Sequence, residues 1–202
     1  MLTLVGVMAL WLVFLAPGYD RFIANVAVVV LHGLESPRIT DSVRMDGADA
    51  VVSHTESFSA LAKQRLDLRT HHNNAPFLIA LILATPGLTR ARRERTLLAG
   101  ILLLAVTHVL NFILEVHWAY AVQNVGPCRV TDLRYLGRGF WQSLDNPAQA
   151  AKLALTSVRE FYTHVGRLLA PIVLWVILCR DALAAFAPGG RVPTTAPRPN
   201  TR

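Results

Sequence analysis

From Thr96 to about Val122 the chain is almost wholly apolar and carries one carboxylate, Glu115. As a helix this run would extend about 40 Å, longer than the ~30 Å hydrocarbon core of a bilayer. Arg90, Arg92, Arg93 and Arg95 stand just before it, the densest positive cluster in the sequence. The loop they are expected to occupy is short enough for positive charge to set orientation, so it is expected on the cytoplasmic side. The run then points outward and ends at Trp118 and Tyr120, aromatics suited to an interface.

The remainder has the same character. Hydrophobic residues make up 53% and charged ones 16%, against ~25% charged in soluble domains. A disordered chain, a disulfide-stapled mini-protein and an ordinary soluble domain are therefore excluded. The net charge of +7 does not imply nucleic acid, because the arginines lie beside apolar runs and no aromatic-interleaved basic stripe is present.

Three further runs complete the predicted topology. Leu2 to Pro17 carries no charge, lacks a basic leader or small-residue cleavage pattern, and reads as an uncleaved first span. Pro17, Gly18, Asp20 and Arg21 are expected to break it, leaving Phe22 to Leu34 at the interface instead of crossing again. The second span covers about 74–88 and the fourth about 165–178, the latter containing Trp175 and lying just before Arg180.

The expected fold is mainly α and integral to the membrane: a four-transmembrane-helix bundle with spans at about 2–17, 74–88, 96–122 and 165–178. It forms one domain over 1–186 with both termini cytoplasmic. Segments 35–73 and 123–163 lie outside, and the Pro- and Arg-rich tail 187–202 is disordered.

The outer segments carry their own patterns. Arg38 to Met45 and Ala48 to Thr55 read as two strands about the Asp46-Gly47 turn, and Gln64 to Thr70 alternates as a third. A three-stranded sheet is more credible than a bare hairpin, which is marginal in water. Asp145-Asn146-Pro147 opens a helix that runs, amphipathic and then apolar, into the fourth span. Cys128 and Cys179 should lie a membrane apart, so no disulfide is expected. Repeats, phosphate-binding loops and dinucleotide fingerprints are absent, and no cofactor is expected.

Chemistry, if present, centres on His108, Asn111 and Glu115, whose spacing puts them on one face of the third span. Polar groups at that depth must face protein or water. The outer helix ends add His71, His72, Asn73, Asn74, His117, Tyr162, His164 and Arg167, with Glu115 and Arg167 a candidate ion pair. These groups suit a general base, a pocket for a polar chain end, or a metal held by His71, His117 and His164. Plain interfacial solvation and helix packing outweigh a binding role, and a catalytic metal carries least weight. Cys128, beside Arg129, reads as incidental.

The order of features also bears a resemblance. A short first span, the turn around Val43-Arg-Met-Asp-Gly, an Asn-x-Pro approach to a span ending Leu83-Ala-Thr-Pro, the arginine loop and the closing Leu168-Leu-Ala-Pro-Ile-Val-Leu-Trp-Val-Ile-Leu-Cys-Arg together resemble the small integral membrane proteins associated with exosortase H. The resemblance spans residues 2–182 and lies in layout and short apolar phrases.

It implies an accessory role in the inner membrane of a Gram-negative bacterium, beside an exosortase that processes C-terminal sorting signals. Membrane lipid and a second integral membrane protein or exported substrate would be its partners. The alternative is a membrane-embedded hydrolase or transferase using Glu115 and a histidine at the outer ends of spans two to four. A transporter fits less well, since no inverted repeat or broken helix pair is present.

Overall fold

In the computed structural model, residues 2–68, 74–123 and 147–184 are described. Six α-helices and three strands form among them: α1 (Leu2–Leu10), α2 (Ala16–Leu34), β1 (Thr40–Asp46), β2 (Asp49–His54), β3 (Gln64–Asp67), α3 (Ala75–Ala84), α4 (Arg90–Val122), α5 (Pro147–Phe161) and α6 (Arg167–Ala184). The protein is mostly helical with a small antiparallel sheet.

The expected break at Pro17-Gly18 does not occur. A π turn at Trp11–Leu15 joins α1 directly to α2, so one helical run continues to Leu34 and Phe22 to Leu34 is part of it, not a separate interfacial segment. Proline lacks the N–H for its i−4 carbonyl and crowds that carbonyl. Here the backbone widens just before Pro17: the Ala16 N–H donates five residues back to the Trp11 carbonyl, and Pro17 falls in the first turn of α2. A second π turn, Tyr162–Gly166, joins α5 to α6, giving the continuous helical run expected from Pro147.

Helix α3 is shorter than the expected 74–88. It stops at Ala84 because Thr85 precedes Pro86 and takes an extended ψ of 116°. Its ten residues cover about 15 Å, half a hydrocarbon core. The arginine cluster, expected in a loop, instead forms the first turns of α4. Thr89 caps that helix by accepting from the Arg92 N–H, and the α3–α4 turn is reduced to Thr85–Thr89 with Gly87 at φ 75°.

The sheet has the order β1-β2-β3, antiparallel throughout, with Asp46 opposite Asp49 and Gly47 at φ 65° in the tight turn. One face buries Thr40, Ala50, Val52 and Gln64, while the other carries Arg44, Asp46 and Arg65 to solvent. Ala50 and Val52 join Ile23, Ala27 and Leu31 of α2 and Phe112, Val116 and Tyr120 of α4 in one core. A second core gathers Trp11, Leu78, Ile82, Leu104 and Cys179 at the arginine end.

Large apolar side chains are exposed on every long run, among them Phe14, Val29, Leu98, Leu110, Leu168 and Ile177. Two runs, Val5–Leu34 and Arg90–Val122, are long and apolar enough to cross a membrane. Cys128 and the 187–202 tail lie outside the described residues, whereas Cys179 is buried with a free thiol.

At Gly100, α4 packs closely against α3 and α6. A Cβ there would meet Ile82 Cδ1 at 3.2 Å, Leu78 Cδ2 at 3.3 Å and Leu178 Cδ1 at 3.4 Å. All three are ends of flexible side chains, so Gly100→Ala is expected to be nearly neutral. Gly100→Leu should destabilise by about 1–3 kcal/mol through overpacking, as read by unfolding titration in detergent.

Candidate functional site

The expected polar face of α4 exists: His108, Asn111 and Glu115 are all buried. The partners of His108 and Glu115 come from distant parts of the chain and place these two groups in separate layers.

His108 lies in a chain of hydrogen bonds linking α2, the start of α3, α4 and α6. Its Nδ1 is 2.9 Å from the Tyr19 hydroxyl, and its Nε2 is 2.9 Å from Asn74 Oδ1. Asn74 Nδ2 in turn donates to the Arg167 carbonyl at 3.1 Å. That last bond has a local cause. Pro171 sits inside α6, and with no N–H it cannot donate to its ordinary i−4 partner, the Arg167 carbonyl. Asn74 supplies a donor in place of the missing backbone one. It is therefore not used as a side-chain cap for α3, although it occupies the cap position.

The direction of donation follows along the chain. Because Asn74 Nδ2 faces a carbonyl, its Oδ1 faces the ring, and His108 Nε2 must carry a proton. In the neutral ring Nδ1 is then the acceptor and the Tyr19 hydroxyl donates to it. Both ring nitrogens are thus engaged in holding helices together.

Glu115 pairs with Arg159, not with Arg167 as expected: Arg159 Nε donates to Glu115 Oε2 at 2.8 Å, with the carboxylate side chain 8% exposed. The same guanidinium donates to Glu160 at 2.7 Å and lies 4.0 Å from the Trp118 ring centroid. Glu160 also meets His164 Nε2 at 3.0 Å. His164 is largely exposed on the π turn, and Arg167 enters the His108 layer through its backbone carbonyl.

His117 lies about half a turn of α4 beyond Glu115, edge-on to Tyr120, whose ring joins the core beneath the sheet. This level contains a group missed in the sequence. The buried Glu35 carboxylate accepts from the Ile39 and Thr40 backbone N–H groups at 2.9 and 2.6 Å and from the Thr40 hydroxyl at 2.6 Å. With that hydroxyl proton committed to Glu35, Tyr120 O–H donates to Thr40 Oγ1 across 2.7 Å. Glu35 thereby closes the turn out of α2 and fixes β1 to α4. His54 packs on the other side of Tyr120, at 5.6 Å between ring centroids.

Among the described residues, the candidate histidines are therefore not convergent. His108, His117 and His164 occupy three different surroundings, and His71 and His72 fall outside the described residues. Among the described residues, no three His, Cys, Asp or Glu side chains are grouped to hold a metal. Asn74, named in the sequence among the outer polar groups, proves to be the mate of the buried His108; Arg159, the mate that buried Glu115 requires, was missed. Glu35, standing four and five residues before the N–H groups it binds, left no periodic signal.

No family model, curated protein or solved structure matches the chain.

Two predictions follow from this geometry. Asn74→Ala should destabilise the protein by about 1–3 kcal/mol, because it strips the Arg167 carbonyl and His108 Nε2 of their mates. In a Pro171→Ala background, where residue 171 regains its N–H, the penalty should fall by about 1 kcal/mol. A double-mutant cycle measures the difference. Separately, burial lowers the pKa of His54, with the nearby Glu35 charge opposing the shift. The unfolded chain then takes up this proton first as pH falls below the ordinary histidine value, so stability present near pH 7 is lost toward about pH 5. Melting curves at both pH values should show that loss shrinking in His54→Gln.

Proposed function

We propose that the chain is an accessory integral membrane protein of an exosortase-type sorting system in a Gram-negative inner membrane, binding a membrane partner or exported substrate at its outer face. The observation that carries the non-catalytic part is the use of the central polar groups as fastenings. Both nitrogens of His108 are engaged between helices, and Glu115 is neutralised by Arg159.

The membrane setting is supported by the apolar exterior and by the charges on α4. Arg95 and Glu115 are twenty residues apart, about 30 Å along a helix and equal to the hydrocarbon thickness. On this reading the arginine end is cytoplasmic and the sheet is outside. The chain crosses four times with both termini inside, and short α3 takes part in the second crossing. The sorting system itself is proposed on the resemblance in layout, and the charged solvent face of the sheet is the surface available to a protein partner.

A second reading has one observation in its favour. Glu115, Arg159, Glu160 and His164 form a continuous chain near the outer end of α4, a constellation a hydrolase or transferase could use for proton transfer.

A mild-detergent pull-down of the tagged chain, with mass spectrometry and metal analysis, separates these readings. The accessory reading predicts a stoichiometric exosortase-like partner that is lost on charge reversal of the sheet face, Arg44→Glu with Arg65→Glu, at unchanged protein level. A lone chain with metal, or full retention of the partner by that variant, would contradict it. A sorting defect in Glu115→Gln with the partner still bound would favour the enzymatic reading.

A further inference from the structure

The cytoplasmic end of the proposed bundle carries more positive charge than its own contacts use. Among the described residues, five arginines, Arg90, Arg92, Arg93 and Arg95 of α4 and Arg180 of α6, share that end with two carboxylates, Glu94 and Asp181. Arg90 is held by Glu94 at 3.0 Å, Arg92 by Asp181 at 2.6 Å, and Arg93 donates to the Thr85 carbonyl at 3.3 Å. Arg180 shares Asp181 at 3.4 Å and is 80% exposed. Arg95 is exposed, and no described residue pairs with it.

What lies beyond Arg95 identifies the chemistry. At steps of three and four along α4 come Leu98, Leu102, Val106 and Leu110, one helical face that is more than half exposed at every position. From Arg95 to Leu110 this stripe rises about 22 Å, enough to accompany an acyl chain through its leaflet. A guanidinium at the end of an exposed apolar stripe matches an anionic headgroup joined to a hydrocarbon tail, because arginine binds phosphate oxygens through paired N–H groups.

We propose that the arginine end of α4 and α6 binds an anionic phospholipid, with its phosphate at Arg95, in the positive field to which Arg180 adds, and an acyl chain along Leu98, Leu102, Val106 and Leu110. The site rests on the membrane reading and adds to it a preference among lipids.

The test reconstitutes the full chain in vesicles of phosphatidylcholine with phosphatidylglycerol and reads bound lipid by native mass spectrometry after mild extraction. Wild type should carry phosphatidylglycerol enriched about fivefold or more over its bulk share. Arg95→Gln with Arg180→Gln should return the ratio to bulk while the helical circular dichroism is kept. If the double variant does not incorporate, Arg95→Gln alone should lower the enrichment about fivefold.

Incorporation of wild type without enrichment, or enrichment unchanged in the variants, would overturn the lipid site and leave the membrane reading standing. Displacement of the lipid by water-soluble glycerol phosphate would overturn the commitment to a lipid. Failure of wild type to incorporate into any vesicle would overturn both readings together.

Discussion

A proline inside α6 leaves one carbonyl without its helical donor, and the centre of the protein is arranged around supplying another. In water the Arg167 carbonyl would be solvated; inside a helical bundle it needs a protein donor. Asn74 provides it, at the point where α3 begins. The amide then has only its oxygen left for His108, which fixes the histidine proton on Nε2 and leaves Nδ1 for Tyr19. A backbone vacancy created by Pro171 thus dictates the chemistry of a side chain on another helix. Four helices are tied by that sequence of donors and acceptors.

The other two layers follow the same logic with charges. Glu115 is buried and would be costly alone, so Arg159 is drawn across from α5 and stacks on Trp118. Glu35 faces the same problem where α2 gives way to β1, and there the answer is backbone N–H groups and a hydroxyl that Tyr120 in turn supplies. The apolar exterior requires no such arrangement, since its side chains face outward on every long helical run. Partnered polar groups thus sit among two apolar cores, while large apolar side chains also cover the long helices, two runs of which are long and apolar enough to cross a membrane.

Local patterns were legible in the sequence where period or turn chemistry determines the outcome. The alternation about Asp46-Gly47 reads correctly as two paired strands and the Gln64 to Thr70 stretch as a third, which the structure forms over Gln64–Asp67, and the spacing of His108, Asn111 and Glu115 correctly assigns them to one inward face. Pro17-Gly18 misleads because the π turn that absorbs the proline lies in the five preceding apolar residues, which carry no mark of it. The arginine cluster misleads differently: charge signals a membrane boundary whether the backbone there is loop or helix. The partners of the polar face were hidden by distance, since Tyr19 is 89 positions from His108 and Arg159 is 44 from Glu115. Only tertiary packing brings such pairs together, and a single sequence has no periodicity that announces them.

His108 is a fastening between helices with one fixed tautomer. That tautomer is tested most directly by nitrogen-15 NMR of the imidazole in bilayer-reconstituted protein at neutral pH. The expected spectrum is that of a neutral ring with its proton on Nε2 and a bare Nδ1 accepting a hydrogen bond. A proton on Nδ1, or a ring protonated on both nitrogens, would contradict the donor order running from Pro171 through Asn74 to Tyr19.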